Sequence, residues 1–352
     1  MSYFAHPWRC TIAGLLLATA SISARAANCN YPDEMPAARE SVSQLGGAIT
    51  VGRDVPIGTR IYTATFNSTL VRLNCPAGSY TVSRKYATSP GTPSGYTHPT
   101  LGTIYRTSVS GIGYAAWYGS SGLPANSSQT FPITTDFGLT TAFDVSFFKI
   151  GDVAPGTIQG SDLAQVELVM IGDSSVRAYL GRFIGALNIV AKTCTTPDVD
   201  VDLGEHLVSE LSGPGTATKW VDVPVRLQNC PAFFGAFRRD LTNDSGFTTT
   251  DTTANQIQYR VDATTTVIDA SRSIMALKDA GAVTSAKGMG IQVAQAANES
   301  IGFGTTRASG LALTAADGGN YTVPLRARYV QTDPVVSGGK ADGQATVTFV
   351  YQ

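Results

Sequence analysis

Short segments rich in β-branched and aromatic residues recur along the whole chain, separated by clusters of turn-forming residues. They include ITV at 49–51, RIYTATF at 60–66, LVRLNC at 70–75, TAFDVSFFKI at 141–150 and AQVELVMIG at 164–172. The stretches between them, such as 88–95 and 119–128, are rich in Gly, Pro, Ser and Thr. This pattern predicts an all-β chain, because such residues favour strands and such clusters favour turns. Strands this short and closely spaced indicate β-sandwiches.

Several segments of the second half have one apolar and one polar face, as half-buried strands do. They are PDVDVDLG at 197–204, PLRARYVQ at 324–331 and ATVTFVYQ at 345–352. The apolar faces include Val199, Val201 and Leu203 in the first segment and Ala345, Val347, Phe349 and Tyr351 in the last. The exception is SRSIMALKDAG at 271–281, whose good helix formers predict one short helical turn.

The first 26 residues have the features of a secretory signal peptide. Arg9 supplies a positive charge, residues 12–22 are apolar, and the small residues Ala24 and Ala26 flank a cleavage point. The apolar stretch is shorter than the roughly 20 residues that a membrane-spanning helix needs. We therefore expect an exported chain without a membrane anchor.

The charge of the chain argues against a nucleic-acid partner. It contains 25 Lys and Arg against 26 Asp and Glu, and charged residues make up only 14% of it. A protein that binds a phosphate backbone needs a basic excess on one surface, and this composition does not indicate one.

The cysteines indicate one disulfide bond in each half of the chain. Of the five cysteines, Cys10 lies in the signal segment, which leaves Cys29, Cys75, Cys194 and Cys230. Exported chains usually pair such cysteines, and four of them allow three connectivities. The local connectivity, Cys29 with Cys75 and Cys194 with Cys230, places one bridge of about 4 kcal/mol in each half. The chain is long enough for two domains, and we expect their boundary near 189–193.

Four features of the second half occur together and in order. The pair Cys194 and Cys230 brackets two strand-like segments, AKGMGIQV at 286–293 is similar to the phrase A-x-G-V-G-I-Q, and YTVPLRARYVQT at 321–332 is similar to a penultimate strand. ATVTFVYQ has a penultimate tyrosine and a glycine, Gly339, near the fourteenth position from the end. In these features residues 191–352 resemble the pilin domain of fimbrial subunits assembled by the chaperone-usher pathway.

The resemblance implies an incomplete immunoglobulin-like sandwich that lacks its last strand. In this family a periplasmic chaperone fills the open hydrophobic groove with its own strand, and at the outer-membrane usher the next subunit replaces it with an N-terminal strand. The implied groove residues are Val199, Val201, Leu203, Val347, Phe349 and Tyr351. The terminal carboxylate of Gln352 is implied to be anchored by the chaperone.

The beginning of the chain leads us to expect a place at the fimbrial tip. Internal subunits carry a donor segment before their first domain, whereas only Ala27 and Asn28 separate the predicted cleavage point from Cys29. The resemblance then implies a two-domain tip adhesin, exported through the periplasm to the cell surface. Its expected parts are a lectin-like receptor-binding β-sandwich at 27–190 and the pilin domain at 191–352.

The first domain offers candidate ligand-binding residues for a surface glycan or glycoprotein. The segment at 104–119 resembles one found in fimbrial tip and minor subunits. A sugar site needs an aromatic face and a few polar partners for hydroxyl groups. The candidates in or near loops are Tyr96, His98, Trp117, Tyr118 and Asp136. The alternative is that Trp117 and Tyr118 pack in the core and that His98 is a solvated loop residue.

The sequence predicts no catalysis, no cofactor and no metal. It has no G-x-S-x-G motif, and only His98 and His206 remain behind the signal segment as bases. The absence of C-x-x-C argues against zinc. Two other functions stay open, namely a secreted β-sandwich enzyme and a tip adaptor or minor subunit that initiates assembly without binding a host ligand.

Overall fold

The computed structural model describes residue 2 and residues 28–243 and 246–352. Apart from Ser2, the predicted signal peptide at 1–26 lies outside these residues, as does Ala27 of the expected linker to Cys29. The described part is all-β as predicted, and its helical structure consists of two 3-10 turns, Gly160–Asp162 and Val208–Glu210. No helix within it is long and apolar enough to cross a membrane.

The first half contains fifteen strands among its described residues. They are β1 (Arg39–Leu45), β2 (Ala48–Thr50), β3 (Arg60–Thr65), β4 (Thr69–Cys75), β5 (Gly78–Tyr86), β6 (Pro93–His98), β7 (Gly102–Arg106), β8 (Ile112–Tyr118), β9 (Ser121–Gly122), β10 (Ala125–Phe131), β11 (Thr135–Thr141), β12 (Asp144–Lys149), β13 (Gly156–Gln159), β14 (Val166–Ile171) and β15 (Ser175–Val190). The five strands predicted in this half are confirmed as β2, β3, β4, β12 and β14.

Two large sheets of the first half enclose the first core. One has the strand order β1-β15-β14-β5-β10, with β2 and β13 also paired to β15, and the other contains β3-β12-β8-β7-β6. Apolar side chains of both sheets meet in one cluster, for example Tyr62 and Phe147 from one and Leu168 and Tyr179 from the other. Strands β4 and β11 form a separate two-stranded sheet.

The second half forms a smaller sandwich. Its strands are β16 (Val221–Cys230), β17 (Phe237–Asn243), β18 (Gly246–Thr253), β19 (Ile257–Ala263), β20 (Val267–Asp269), β21 (Ile274–Ala276), β22 (Met289–Gln295), β23 (Arg307–Ala308), β24 (Gly319–Gln331) and β25 (Ala345–Tyr351). The sheets β16-β24-β22-β21-β20 and β23-β19-β25 enclose a second core that is separate from the first. The local disulfide connectivity is confirmed, with Cys29 bonded to Cys75 and Cys194 bonded to Cys230.

One hairpin crosses between the halves. Strands β17 and β18 belong to the second half in sequence, but β17 pairs in parallel with β3 and extends the sheet of the first half to β18-β17-β3-β12-β8-β7-β6. The hydroxyl group of Tyr62 on β3 donates a hydrogen bond of 2.7 Å to the carboxylate of Asp240 on β17. Burial and this carboxylate raise the pKa of Tyr62. The sequence pattern did not predict this pairing.

Two local predictions for the second half need correction. Residues 271–281 form no helix, because Ile274–Ala276 is strand β21 between β20 and β22, and turns lie on either side. Its apolar side chains Ile274 and Met275 are buried, so tertiary packing overrides helix propensity here. Residues 197–204 are not part of any ladder in the described structure, although a half-buried strand was expected there.

Candidate functional site

The C-terminal strand β25 lies at an edge of its sheet. It pairs with β19 from Ala345 to Tyr351, and no other described strand pairs with it. Gln352 and Gln256 exchange both backbone hydrogen bonds, at 2.9 and 2.7 Å. Because such pairs alternate along an antiparallel ladder, the N–H and C=O groups of Val347, Phe349 and Tyr351 face away from β19. Outward-facing groups of this kind can receive another strand.

Of the predicted groove residues, two belong to the buried second core and two more, Leu203 and Val347, are half-buried against it. Phe349 and Tyr351 are 7% and 5% exposed, whereas Val347 is half-buried and packs against the same core. In the unpaired segment 197–204 the apolar side chains Val199, Val201 and Leu203 are half-buried and the aspartates between them are exposed. The expected alternation is therefore present in this segment even though it forms no ladder.

A loop of the first half closes the C-terminal end of the β25 edge. We call residues 52–54 the junction loop. The N–H of Asp54 donates to the carbonyl of Tyr351 at 3.2 Å, and its carboxylate accepts the N–H of Tyr351 at 2.9 Å. Arg53 donates to the carbonyl of Phe349 at 3.2 Å. A Cβ on Gly52 would lie 2.2 Å from the carbonyl oxygen of Tyr351, so this close approach requires glycine.

Buried polar side chains hold the junction loop in place. The ammonium group of Lys149, which is 4% exposed, donates to the carbonyls of Gly52 and Arg53 at 3.2 and 2.5 Å. Desolvation lowers the pKa of Lys149. The amide of Asn255 donates to the carbonyls of Thr50 at 2.8 Å and of Gln352 at 3.4 Å. The predicted anchoring residue Gln352 therefore lies where the two halves meet.

Three of the five candidate ligand-binding residues lie together. Tyr96 and Trp117 pack on a small apolar cluster, separate from the first core, that includes Phe148. The ring of His98 lies 5.0 Å from that of Phe148. The Nδ1 atom of His98 accepts the N–H of Leu101 at 3.2 Å and so stabilises its own turn. Desolvation and the charge of Arg60 lower the pKa of His98, which favours the neutral ring.

The other two candidates lie elsewhere, so the five do not form one site. Tyr118 packs against the first core, and the guanidinium carbon of Arg84 is 4.0 Å from the centre of its ring. Asp136 lies on β11 in the two-stranded sheet, where an oxygen of its carboxylate is 3.8 Å from Arg72.

Polar residues that were not predicted as ligand-binding surround Trp117. Its indole N–H donates to the hydroxyl of Ser146 at 3.0 Å, and the guanidinium carbon of Arg60 is 5.6 Å from the centre of its ring. The hydroxyl of Thr65 donates to the carboxylate of Asp144 at 2.5 Å. We call Arg60, Thr65, Trp117, Asp144 and Ser146 the outer-face cluster. The sequence signal that could have identified them is the occurrence of polar residues at alternate positions of the two strands predicted at 60–66 and 141–150.

A comparison with protein families finds one model that matches the second half of the chain. Residues 184–352 match the family model described as Fimbrial protein. A search of curated proteins finds no significant match.

Similar solved structures include proteins described as adhesins. The CupB6 tip adhesin from Pseudomonas aeruginosa is 15% identical, with 92% of this chain and 94% of that chain covered and a TM-score of 0.36. The receptor binding domain of the plasmid-borne adhesin MrkD1P of Klebsiella pneumoniae is 20% identical, with 48% of this chain and 98% of that chain covered and a TM-score of 0.34. A chain of the CsuC-CsuE chaperone-tip adhesion subunit complex of Acinetobacter baumannii is 10% identical, with 92% of this chain and 100% of that chain covered and a TM-score of 0.27.

Proposed function

We propose that this chain is a fimbrial tip adhesin whose first half binds a surface ligand, because residues 184–352 match the family model described as Fimbrial protein. Fimbrial proteins are structural components of extracellular pili, and the chain is not an enzyme. The observation that carries the proposal is the sandwich of the first half, which has its own core and precedes the segment that matches the fimbrial model. We place the domains at 27–190 and 191–352, and export through the periplasm brings them to the fimbrial tip.

Assembly uses the open edge of β25. A strand of the periplasmic chaperone, and later the N-terminal strand of the next subunit at the usher, pairs with the outward-facing backbone of β25. The half-buried side chain of Val347 on this edge supports the proposal, since an incoming strand would cover its exposed part. The groove residues are Val199, Val201, Leu203, Val347, Phe349 and Tyr351, and the chaperone also contacts Gln352.

Co-purification with the periplasmic chaperone tests the assembly role. Phe349→Asp places a charge in the apolar groove and should abolish recovery of the complex. Thr348→Asp is the matched control, because Thr348 is exposed and lies on the other face of β25. Val347→Asp, at a half-buried position, repeats the test with less risk to the core. Full recovery of the complex with both groove variants would contradict the proposed groove.

Ligand binding is assigned to the face that carries Tyr96, His98 and Trp117. An aromatic side chain beside hydroxyl, carboxylate and guanidinium groups offers both contacts that a saccharide uses, ring stacking and hydrogen bonds. Binding of the full chain to immobilised glycans and to host-type surfaces tests this role. A folded chain that binds neither would contradict the adhesin proposal and would favour a tip adaptor that initiates assembly.

A further inference from the structure

The outer-face cluster is extended by a residue of the second half. In the shared sheet Arg239 of β17 pairs with Thr63 of β3, which in turn pairs with Ser146 of β12. Residues that are paired on neighbouring strands lie on the same face of a sheet. Arg239 therefore shares a face with Ser146 and, two residues further along β12, with Asp144.

A β-bulge brings Arg60 to the same face. The β3–β12 ladder shifts register between Phe147, which is opposite Tyr62, and Phe148, which is opposite Arg60. Tyr62 and Phe147 belong to the first core, whereas Phe148 belongs to the small cluster beside Trp117. Because a bulge re-aims the side chains that follow it, the guanidinium of Arg60 lies over the rings of Trp117 and Phe148.

These two arginines lack acceptors in the described part of the chain. Neither takes part in an ion pair within 4.0 Å, and neither guanidinium donates a hydrogen bond there. Asp251 lies opposite Arg239 in the β17–β18 ladder, yet it too forms no such pair. Desolvation lowers the pKa of Arg60, because partial burial makes its charged form less favourable than it is in water.

The carboxylate of Asp144 interacts electrostatically with both arginines and is already engaged. Asp144 accepts the hydroxyl of Thr65. Burial raises the pKa of Asp144, and the positive charges of Arg239 and Arg60 oppose that rise. Asp144 is thus engaged and Asp251 forms no ion pair with Arg239, so the N–H groups of the two guanidinium groups are available for an anion. Guanidinium groups bind carboxylate, sulfate and phosphate through paired hydrogen bonds.

We propose that this face binds a saccharide with an anionic substituent and that Arg239 of the fimbrial half completes the site. Arg60 and Arg239 bind the anionic group, while Thr65 and Asp144 are polar partners for sugar hydroxyls beside Trp117. The inference rests on the proposed adhesin function and adds the ligand class. It also means that residues 27–190 alone lack one residue of the site.

Binding of the full chain to an array of carboxylated, sulfated and neutral glycans tests the proposal. The wild-type chain should bind carboxylated or sulfated members and not their neutral counterparts, and the two acidic sets identify the anion. Arg60→Gln and Arg239→Gln should each weaken this binding by about tenfold or more, since a hydrogen bond to a charged group contributes about 1.5–3 kcal/mol. Arg239→Lys should retain part of it.

Arg72→Gln is the matched control, because Arg72 is a half-exposed arginine of the first half that lies in the separate two-stranded sheet. Its binding should equal that of the wild type, and all variants should keep the same thermal unfolding midpoint. Binding to neutral glycans alone, or unchanged binding by both arginine variants, would overturn the anionic site and leave the adhesin function standing. A chain that binds no glycan and no host surface would overturn both.

Discussion

The edge of β25 and the outer-face cluster differ in how far apart their residues lie in the sequence. The edge belongs to a single strand of seven residues. The cluster draws on β3, β8 and β12, and Arg239 comes from β17 in the other half. A site on one strand leaves a local pattern in the sequence, whereas a site built across strands depends on pairings that no local pattern records.

The β17–β3 pairing is the feature whose disruption should have the largest effect on stability. Asp240 is 1% exposed, accepts the hydroxyl of Tyr62 and pairs with the guanidinium of Arg238 at 2.9 Å. Asp240→Ala removes the acceptor of the Tyr62 hydroxyl and the ion-pair partner of Arg238, and it should lower the free energy of unfolding by about 3–5 kcal/mol. Urea unfolding measures the change. Asp251→Ala, at an exposed position of the same hairpin, is the control and should change stability by less than about 0.5 kcal/mol.

Equal, small losses for Asp240→Ala and Asp251→Ala would contradict the shared sheet. The ligand site would then have to be contained in β3, β8 and β12 of the first half, without Arg239.

A substitution in the junction loop should lower the free energy of unfolding by a smaller amount. Asp54→Ala removes a carboxylate that accepts the N–H of Tyr351, and we expect a loss of about 1 kcal/mol, the usual net contribution of a hydrogen bond. Amide hydrogen exchange at Tyr351 should become faster. Asp33→Ala, at an exposed position of the first half, should leave that amide unchanged. Unaltered exchange in the Asp54 variant would show that the loop does not cap the edge.

The smallest expected effect is that of Asp144 on the pH dependence of the free energy of unfolding. Burial raises the pKa of Asp144 in the folded chain, so the folded state takes up this proton more readily than the unfolded state. Stability linked to Asp144 is therefore fully present below the usual carboxyl pKa and is lost as the pH rises through the raised value. Asp144→Asn should flatten this part of the stability profile measured by urea unfolding. A profile that is identical to that of the wild type would contradict the shift.

The features that were predicted correctly depend on residues that are close together in the sequence. Most predicted strands and both disulfide bonds are confirmed, because β-branched runs and the division of cysteines between two halves are local signals. The short helical turn predicted at 271–281 was wrong, because the packing of Ile274 and Met275 makes part of that segment a strand.

The candidate ligand site was harder to predict. Trp117 was identified as an aromatic near a loop, but Arg60 reaches it only through a register shift between β3 and β12. Arg239 lies far from both in the sequence and joins the face through a parallel pairing with β3. Neither arginine has a local pattern that distinguishes it from an ordinary surface arginine.

Residue-resolved amide hydrogen exchange of the full chain, alone and bound to its periplasmic chaperone, tests the central claim most directly. In the free chain the amides of Val347 and Phe349 should exchange rapidly, whereas those of Thr348, Val350 and Tyr351 should be protected. Chaperone binding should protect Val347 and Phe349 and leave the other three unchanged. Protection of Val347 and Phe349 in the free chain, or rapid exchange in the complex, would contradict strand addition at the edge of β25.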